Sequence, residues 1–233
     1  MSDSGAGRRA PSLIYPGYAV RAPLARWLRE EARAAGERKR PPRLLDVGCG
    51  DRPYEPFFTP NVAEYVGVDV ANPAADLEGT VEDIPVPDAS FELVLCTQTL
   101  EHVSDPSRAV RELRRVVAPG GRVLVSTHGV QVYHPNPHDL WRWTHAGLEH
   151  LFRENGSWSS LDVEPASGTT ACIGMLVATY THLLCKRAHV RPLAVPIVAA
   201  VNVTARAIDG AVPSLREPRP GTIFANYHVA AQP

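Results

Sequence analysis

Cysteine is scarce in this chain: four occur among 233 residues, and no two have Cys-x-x-Cys spacing. Cys49, Cys96, Cys172 and Cys185 therefore read as reduced thiols of a cytoplasmic protein, neither a disulfide framework nor a zinc site. Net charge is also scarce: 24 lysines and arginines stand against 25 aspartates and glutamates, a formal charge of −1. No global field draws the chain to nucleic acid or acidic lipid, and no nucleic-acid partner is expected. The first ten residues are rich in Ser, Gly, Ala and Arg and lack the apolar centre of a signal peptide. No uninterrupted apolar run reaches bilayer length, so no transmembrane span is expected. No internal repeat is visible.

The residues that are present describe a globular α/β domain. Apolar residues make up 44% of the chain, enough at this length for a full core. Residues 1–15 read as a tail. An amphipathic helix is expected to begin near Pro23, with Leu24, Trp27, Leu28 and Ala32 at helical spacing. The run Glu37-Arg38-Lys39-Arg40 reads as a solvated helix end. Three apolar strands follow, over 43–47, 65–70 and 91–96. Asp105 and Pro106 then announce a helix whose apolar face is Ala109, Val110, Leu113, Val116 and Val117. Pro119-Gly120-Gly121 ends it, and 122–126 is another buried strand. Such alternation implies a mainly parallel sheet covered on both faces. Thr144 caps a further helix, 159–164 and 222–230 read as late strands, and 169–212 reads as two apolar helices broken at Pro192 and Pro196.

The chemistry begins at the first strand end. Gly48 and Gly50 follow Asp46 and Val47, where ligands bind in open α/β sheets, and glycine lets the backbone approach a ligand closely. Asp69 ends the next strand, where a carboxylate can accept hydrogen bonds from both hydroxyls of a ribose. A dinucleotide site would want a third glycine and a helix N-terminus for the pyrophosphate. Here Asp51-Arg52-Pro53-Tyr54 follows, and Asp51 would repel that anion. A sulfonium ligand with an amino-acid tail needs no such site.

The segment Leu44-Leu45-Asp46-Val47-Gly48-Cys49-Gly50 resembles the first motif of class I S-adenosylmethionine-dependent methyltransferases, and Asp51-Arg52-Pro53-Tyr54 resembles a bacterial branch found with surface-sugar and natural-product genes. Val81-Glu82-Asp83-Ile84-Pro85, Leu100-Glu101-His102-Val103 and Arg115-Val116-Val117-Ala118-Pro119-Gly120-Gly121 match in order. The resemblance implies a Rossmann-like, seven-stranded, mostly parallel sheet with helices on both faces, and S-adenosyl-L-methionine as cofactor. It also implies roles. Asp46, Gly48, Cys49 and Gly50 border the methionine end, and Asp69 takes the ribose. Val70 and Ile84 pack beside the adenine, Asp83 accepts from its amino group, and Thr97 and Gln98 border the sulfonium.

Acceptor residues are expected among the histidines. A hydroxyl acceptor benefits from a base, and histidine suits that work near neutral pH. The segment from His134 to Thr144 resembles a family loop that roofs the acceptor pocket. His134 is the first candidate base, His138 the second and His102 the third; a loop-fixing role for His134 is the competing reading. Asp139 and Arg142 are candidate acceptor contacts, with a structural ion pair equally open for Arg142. Pro135 and Pro137 disfavour a helical His-x-x-x-His metal pair, and no metal is expected.

The expected organisation is a tail and helix over 1–40, a cofactor-binding core over 41–168 and 213–233, and a helical insertion over 169–212 before the last strand. The insertion is apolar enough to be a lid, a homodimer face or a lipid-facing surface. The function expected is methylation of a small-molecule acceptor, O-directed, on a sugar, glycoconjugate or secondary metabolite. The alternatives are an N- or C-methyltransferase, a nucleotide-dependent oxidoreductase, and a non-catalytic S-adenosylmethionine-binding subunit.

Overall fold

The structure, a computed structural model, describes residues 5–135 and 137–233. Residues 1–4 of the expected tail, and Asn136 in the histidine-rich loop, lie outside the described residues. Seven strands form one sheet: β1 (Arg43–Val47), β2 (Glu64–Asp69), β3 (Leu77–Glu78), β4 (Phe91–Thr97), β5 (Val117–His128), β6 (Ser160–Pro165) and β7 (Asn226–Gln232). Their order is β3-β2-β1-β4-β5-β7-β6. The first five run parallel, and β7 inserts antiparallel between β5 and β6.

Alternation along the strands explains the two core layers. Leu44, Leu93, Leu95 and Leu124 face α2 (Tyr18–Gly36), which buries Leu24, Leu28 and Ala32 against them. Leu45, Val94, Val123 and Val125 face the other way, towards α4 (Pro106–Val116) and α5 (His145–Asn155). With both faces covered, the strands are near-continuous apolar runs. The caps also form: Asp105 accepts from the Arg108 amide at 3.0 Å, and the Thr144 hydroxyl accepts from the Gly147 amide at 3.0 Å.

Several boundaries differ from the sequence reading. α2 starts at Tyr18, and Pro23 lies inside it. Residues 5–15 are held rather than free. A short helix, α1 (Ala6–Arg9), packs on α2, and the Arg9 guanidinium donates to the Pro53 carbonyl at 2.7 Å. The Asn202 amide donates to the carbonyls of Leu13 and Tyr15. β3 has only two residues, too few for an alternation to show. β7 begins at Asn226 rather than at residue 222.

Between β6 and β7, α6 (Thr169–Arg187) and α7 (Arg191–Ala211) pack against each other as a helical hairpin. α7 continues through Pro196, so that proline does not break it. It is therefore longer than the apolar runs expected from the sequence, and by length and composition alone it could cross a membrane. Asn202 and Arg206 hold its C-terminal half to Leu13, Tyr15 and Tyr18 instead, and Asp209 ties it to α6. Asp209 is buried and accepts from the Thr170 and Ala171 amides at 3.0 and 2.9 Å, capping α6 from the neighbouring helix. These amides have no partner within α6. Asp209→Ala leaves two donors buried and unpaired, and we expect it to cost about 2–4 kcal/mol of stability. Chemical denaturation checks this, with Asp209→Asn recovering part of the loss.

Candidate active site

The sheet order reverses between β1 and β4, so their carboxyl ends frame a crevice. After β1 the chain turns at Gly48, whose φ of +73° suits glycine. A Cβ there would fall 2.3 Å from the Thr99 hydroxyl oxygen, so the turn packs directly on the segment after β4. The Gly48 and Cys49 amides both donate to the Val68 carbonyl, which ties this turn to the end of β2. At that end the Asp69 carboxylate accepts from the Gly50 amide at 2.6 Å and the Val70 amide at 2.7 Å.

These groups open on a cavity of about 1060 Å³, whose wall includes Gly48, Cys49, Gly50, Asp69, Val70, Thr97 and Gln98. Gly79, Thr80 and Val81 form another part of it. Neither Asp83 nor Ile84 is on that wall: the Asp83 side chain is exposed, and Ile84 is buried in the core. Asp46 is also off the wall, buried beneath the turn with the Tyr65 hydroxyl donating to it. Burial pushes its carboxyl up to about 6, against the opposing effect of that hydrogen bond. Burial, with Asp46 and Asp69 nearby, pushes the Cys49 thiol up to about 12, so its backbone is what it offers a ligand. The Gln98 side-chain Nε2 donates to the Ser126 hydroxyl and to Asn226 Oδ1 at 2.7 and 3.0 Å, joining the ends of β4, β5 and β7.

The crevice fits an S-adenosyl group better than a dinucleotide. After Gly50 the chain makes a turn through Asp51 and then a four-residue helix, α3 (Glu55–Phe58), so no helix N-terminus opens at the glycines to receive a pyrophosphate. A strand-end carboxylate, exposed glycine backbone and an apolar neighbour in Val70 suit an adenosine with an amino-acid tail.

Across the cavity stand the histidines. His102, His128, His134 and His138 all line it. The His134 ring centroid lies 6.0 Å from that of His102 and 6.2 Å from that of His128. The His102 Nδ1 meets the His138 carbonyl oxygen, and burial holds this imidazole below its ordinary range. Asp139 and Arg142 form a two-pronged ion pair at 2.5 and 2.9 Å. Asp139 also accepts from the His134 amide, while Arg142 donates to the carbonyls of Val132 and Trp141. Both side chains pin the loop, and neither is on the cavity wall.

Neither His128, which lines the cavity, nor Glu101, which stands behind it, is a candidate base from the sequence. Glu101 is fully buried, with one carboxylate oxygen 3.3 Å from His128 Nδ1. That approach lacks hydrogen-bond geometry, and both atoms are otherwise unpartnered. The other oxygen accepts from the Thr127 hydroxyl at 2.9 Å. Burial pushes the Glu101 carboxyl up to about 7 and the His128 imidazole down to about 3. The sequence signal is a glutamate in the run Leu100-Glu101-His102-Val103, but only burial gives it meaning. A smaller cavity of about 250 Å³ behind Trp143 and Tyr227 contains none of the strand-end groups.

A family profile described as a methyltransferase domain matches residues 19–161, well over half of the chain. The chain is 31% identical over 118 residues to the ubiquinone biosynthesis O-methyltransferase of Paraburkholderia phymatum, covering 44% of this chain and 49% of that one. It spans less than half the length of the curated relatives it matches. Among solved structures it is similar to the [4+2]-cyclase SpnF, with a TM-score of 0.55 and 19% identity over 93% of this chain and 85% of that one. It is similar too to Haemonchus contortus phosphoethanolamine N-methyltransferase 2 in complex with S-adenosyl-L-methionine, with a TM-score of 0.55 and 15% identity, covering 100% of this chain and 60% of that one. The chain belongs to the methyltransferase-domain family and has the class I, S-adenosylmethionine-dependent fold.

Proposed function

We propose that this chain methylates an oxygen of a small molecule, with Glu101 and His128 together receiving the acceptor's proton. The observation that carries the reading is a single cavity, walled on one side by Gly48, Gly50 and Asp69 and on the other by a histidine backed by a buried carboxyl. S-adenosyl-L-methionine supplies an electrophilic methyl group on a sulfonium. Asp69 holds the ribose hydroxyls, the backbone of Gly48 to Gly50 lies along the amino-acid tail, and Val70 and Val81 flank the adenine. Thr97 and Gln98 border the sulfur end. A sugar, glycoconjugate or secondary metabolite is the acceptor class, in a cavity large enough for both molecules.

Methyl transfer rewards close alignment above all, and a base assists a hydroxyl acceptor. The protonation state of Glu101 sets what His128 can do. The two lie 3.3 Å apart without a hydrogen bond, so Glu101 acts on His128 through charge. A protonated Glu101 offers an imidazolium no counter-charge, whereas an ionised Glu101 stabilises it as His128 takes a proton. His134 and His102 are near enough to orient the acceptor, and His138 holds His102 through its carbonyl.

Three outcomes test the reading. Calorimetry with S-adenosylhomocysteine should show Asp69→Ala weakening affinity by about 2–4 kcal/mol, whereas Asp83→Ala changes it by less than about 0.5 kcal/mol. Equal losses would move the adenine onto Asp83. With a hydroxyl acceptor, His128→Ala should lower turnover about a hundredfold and leave S-adenosylhomocysteine affinity intact; His134→Ala with the larger loss would make His134 the base. Because Glu101 must be ionised, kcat/KM should rise with pH through about 7, and Glu101→Gln should flatten that limb. A limb that persists in Glu101→Gln rejects this pairing.

A further inference from the structure

Outside the cavity, the exposed surface of the α6–α7 hairpin is a feature that methyl transfer does not explain. Ile173, Val177, Tyr180 and Leu184 recur every three or four residues along α6, and all are exposed. That spacing puts them in one stripe about 16 Å long. On α7, Leu193 and Ile197, four residues apart, form a second exposed apolar pair near the tip. Leu184 and Leu193, near the hairpin tip, are 61% and 60% exposed. No Asp, Glu, Lys or Arg occurs from Thr169 to Cys185 or from Pro192 to Ala205. Exposed apolar residues aligned in this way mark a contact face.

The charges say what covers it. Lys186, Arg187 and Arg191 crowd the tip, with His189 between them, and all are exposed. None of the three cations has an ion pair among the described residues. Arg191 opens α7, where the helix dipole disfavours a cation and no acidic residue compensates. Asp209, the single acidic side chain between residues 169 and 212, is buried in the α6 cap. A second copy of the hairpin would offer apolar surface but no exposed carboxylate to these cations. A bilayer containing anionic lipid offers both apolar chains and phosphates.

We propose that the hairpin rests on an anionic lipid surface, its apolar stripe in the headgroup–acyl boundary and its basic tip against lipid phosphates. It lies on the membrane rather than across it, because Asn202 and Arg206 bind the C-terminal half of α7 to Leu13, Tyr15 and Tyr18 of the domain. α6 also lines the cavity, through Met175, Thr179 and His182. The cavity is thus one helix away from the lipid face. That suits an acceptor with an apolar tail, a consequence that rests on the methyl-transfer reading.

Vesicle co-sedimentation of the full chain tests this, with phosphatidylcholine vesicles compared with vesicles that also contain phosphatidylglycerol. We expect binding to the mixed vesicles, weakened about tenfold or more with phosphatidylcholine alone or in high salt. Replacing Lys186, Arg187 and Arg191 together by Glu should abolish it. Leu184→Ser with Leu193→Ser should do the same, while circular dichroism and S-adenosylhomocysteine binding stay unchanged in both variants. Absence of vesicle binding overturns the proposal, whether the chain sediments as a monomer or as a dimer joined through the hairpin. Binding that both variants retain overturns it too, because another surface is then responsible. Vesicle binding without S-adenosylhomocysteine binding leaves the lipid face standing and removes the methyl-transfer reading alone.

Discussion

At the carboxyl ends of β1 and β4 the chain leaves in opposite directions, towards β2 on one side and β5 on the other. The crevice between them is left open by the strand order itself. The glycine turn after β1, the carboxylate at the end of β2 and the Thr97–Thr99 segment after β4 all border it. Gly48 can pack on Thr99 only because it carries no Cβ, and its amide reaches the Val68 carbonyl only because the turn is that tight. The crevice is therefore a property of the topology, completed by a few residues that fit its edge.

The second side of the cavity is built differently. Its loop would be a loose, proline-rich excursion without the Asp139–Arg142 pair, which ties it to itself and to neighbouring carbonyls. Glu101 fixes the same loop from below, its own carbonyl accepting from the Leu140 and Trp141 amides. Glu101 thus holds the loop through its backbone, while its buried carboxyl faces His128. An uncompensated charge at that depth is costly, so the pair tends towards neutral forms and responds to pH near neutrality.

Much of this was legible in the sequence, for physical reasons. The parallel strands are buried on both faces and read as short apolar runs; α4 and α5 have side-chain caps that form as their residues imply. Gly48, Gly50 and Asp69 were legible because backbone access and a strand-end carboxylate are local features. The family resemblance implies Asp83 and Ile84 at the adenine; the cavity wall carries the neighbouring Thr80 and Val81. Glu101 and His128 were not legible as a pair. They lie on different elements, and burial alone makes their proximity consequential. The hold on residues 5–15 was equally hidden, since it depends on Asn202, far along the chain.

The exposed face of the hairpin and the cavity are separate features that share α6, so either can be correct without the other. The account depends most on the crevice. The direct measurement is a crystal structure of the full chain grown with S-adenosylhomocysteine. The account predicts the ribose hydroxyls on the Asp69 carboxylate, the amino-acid tail along Gly48 to Gly50, and the sulfur on the side of the cavity that faces His128. A ligand bound elsewhere, or seated in the cavity with its ribose away from Asp69, would contradict it.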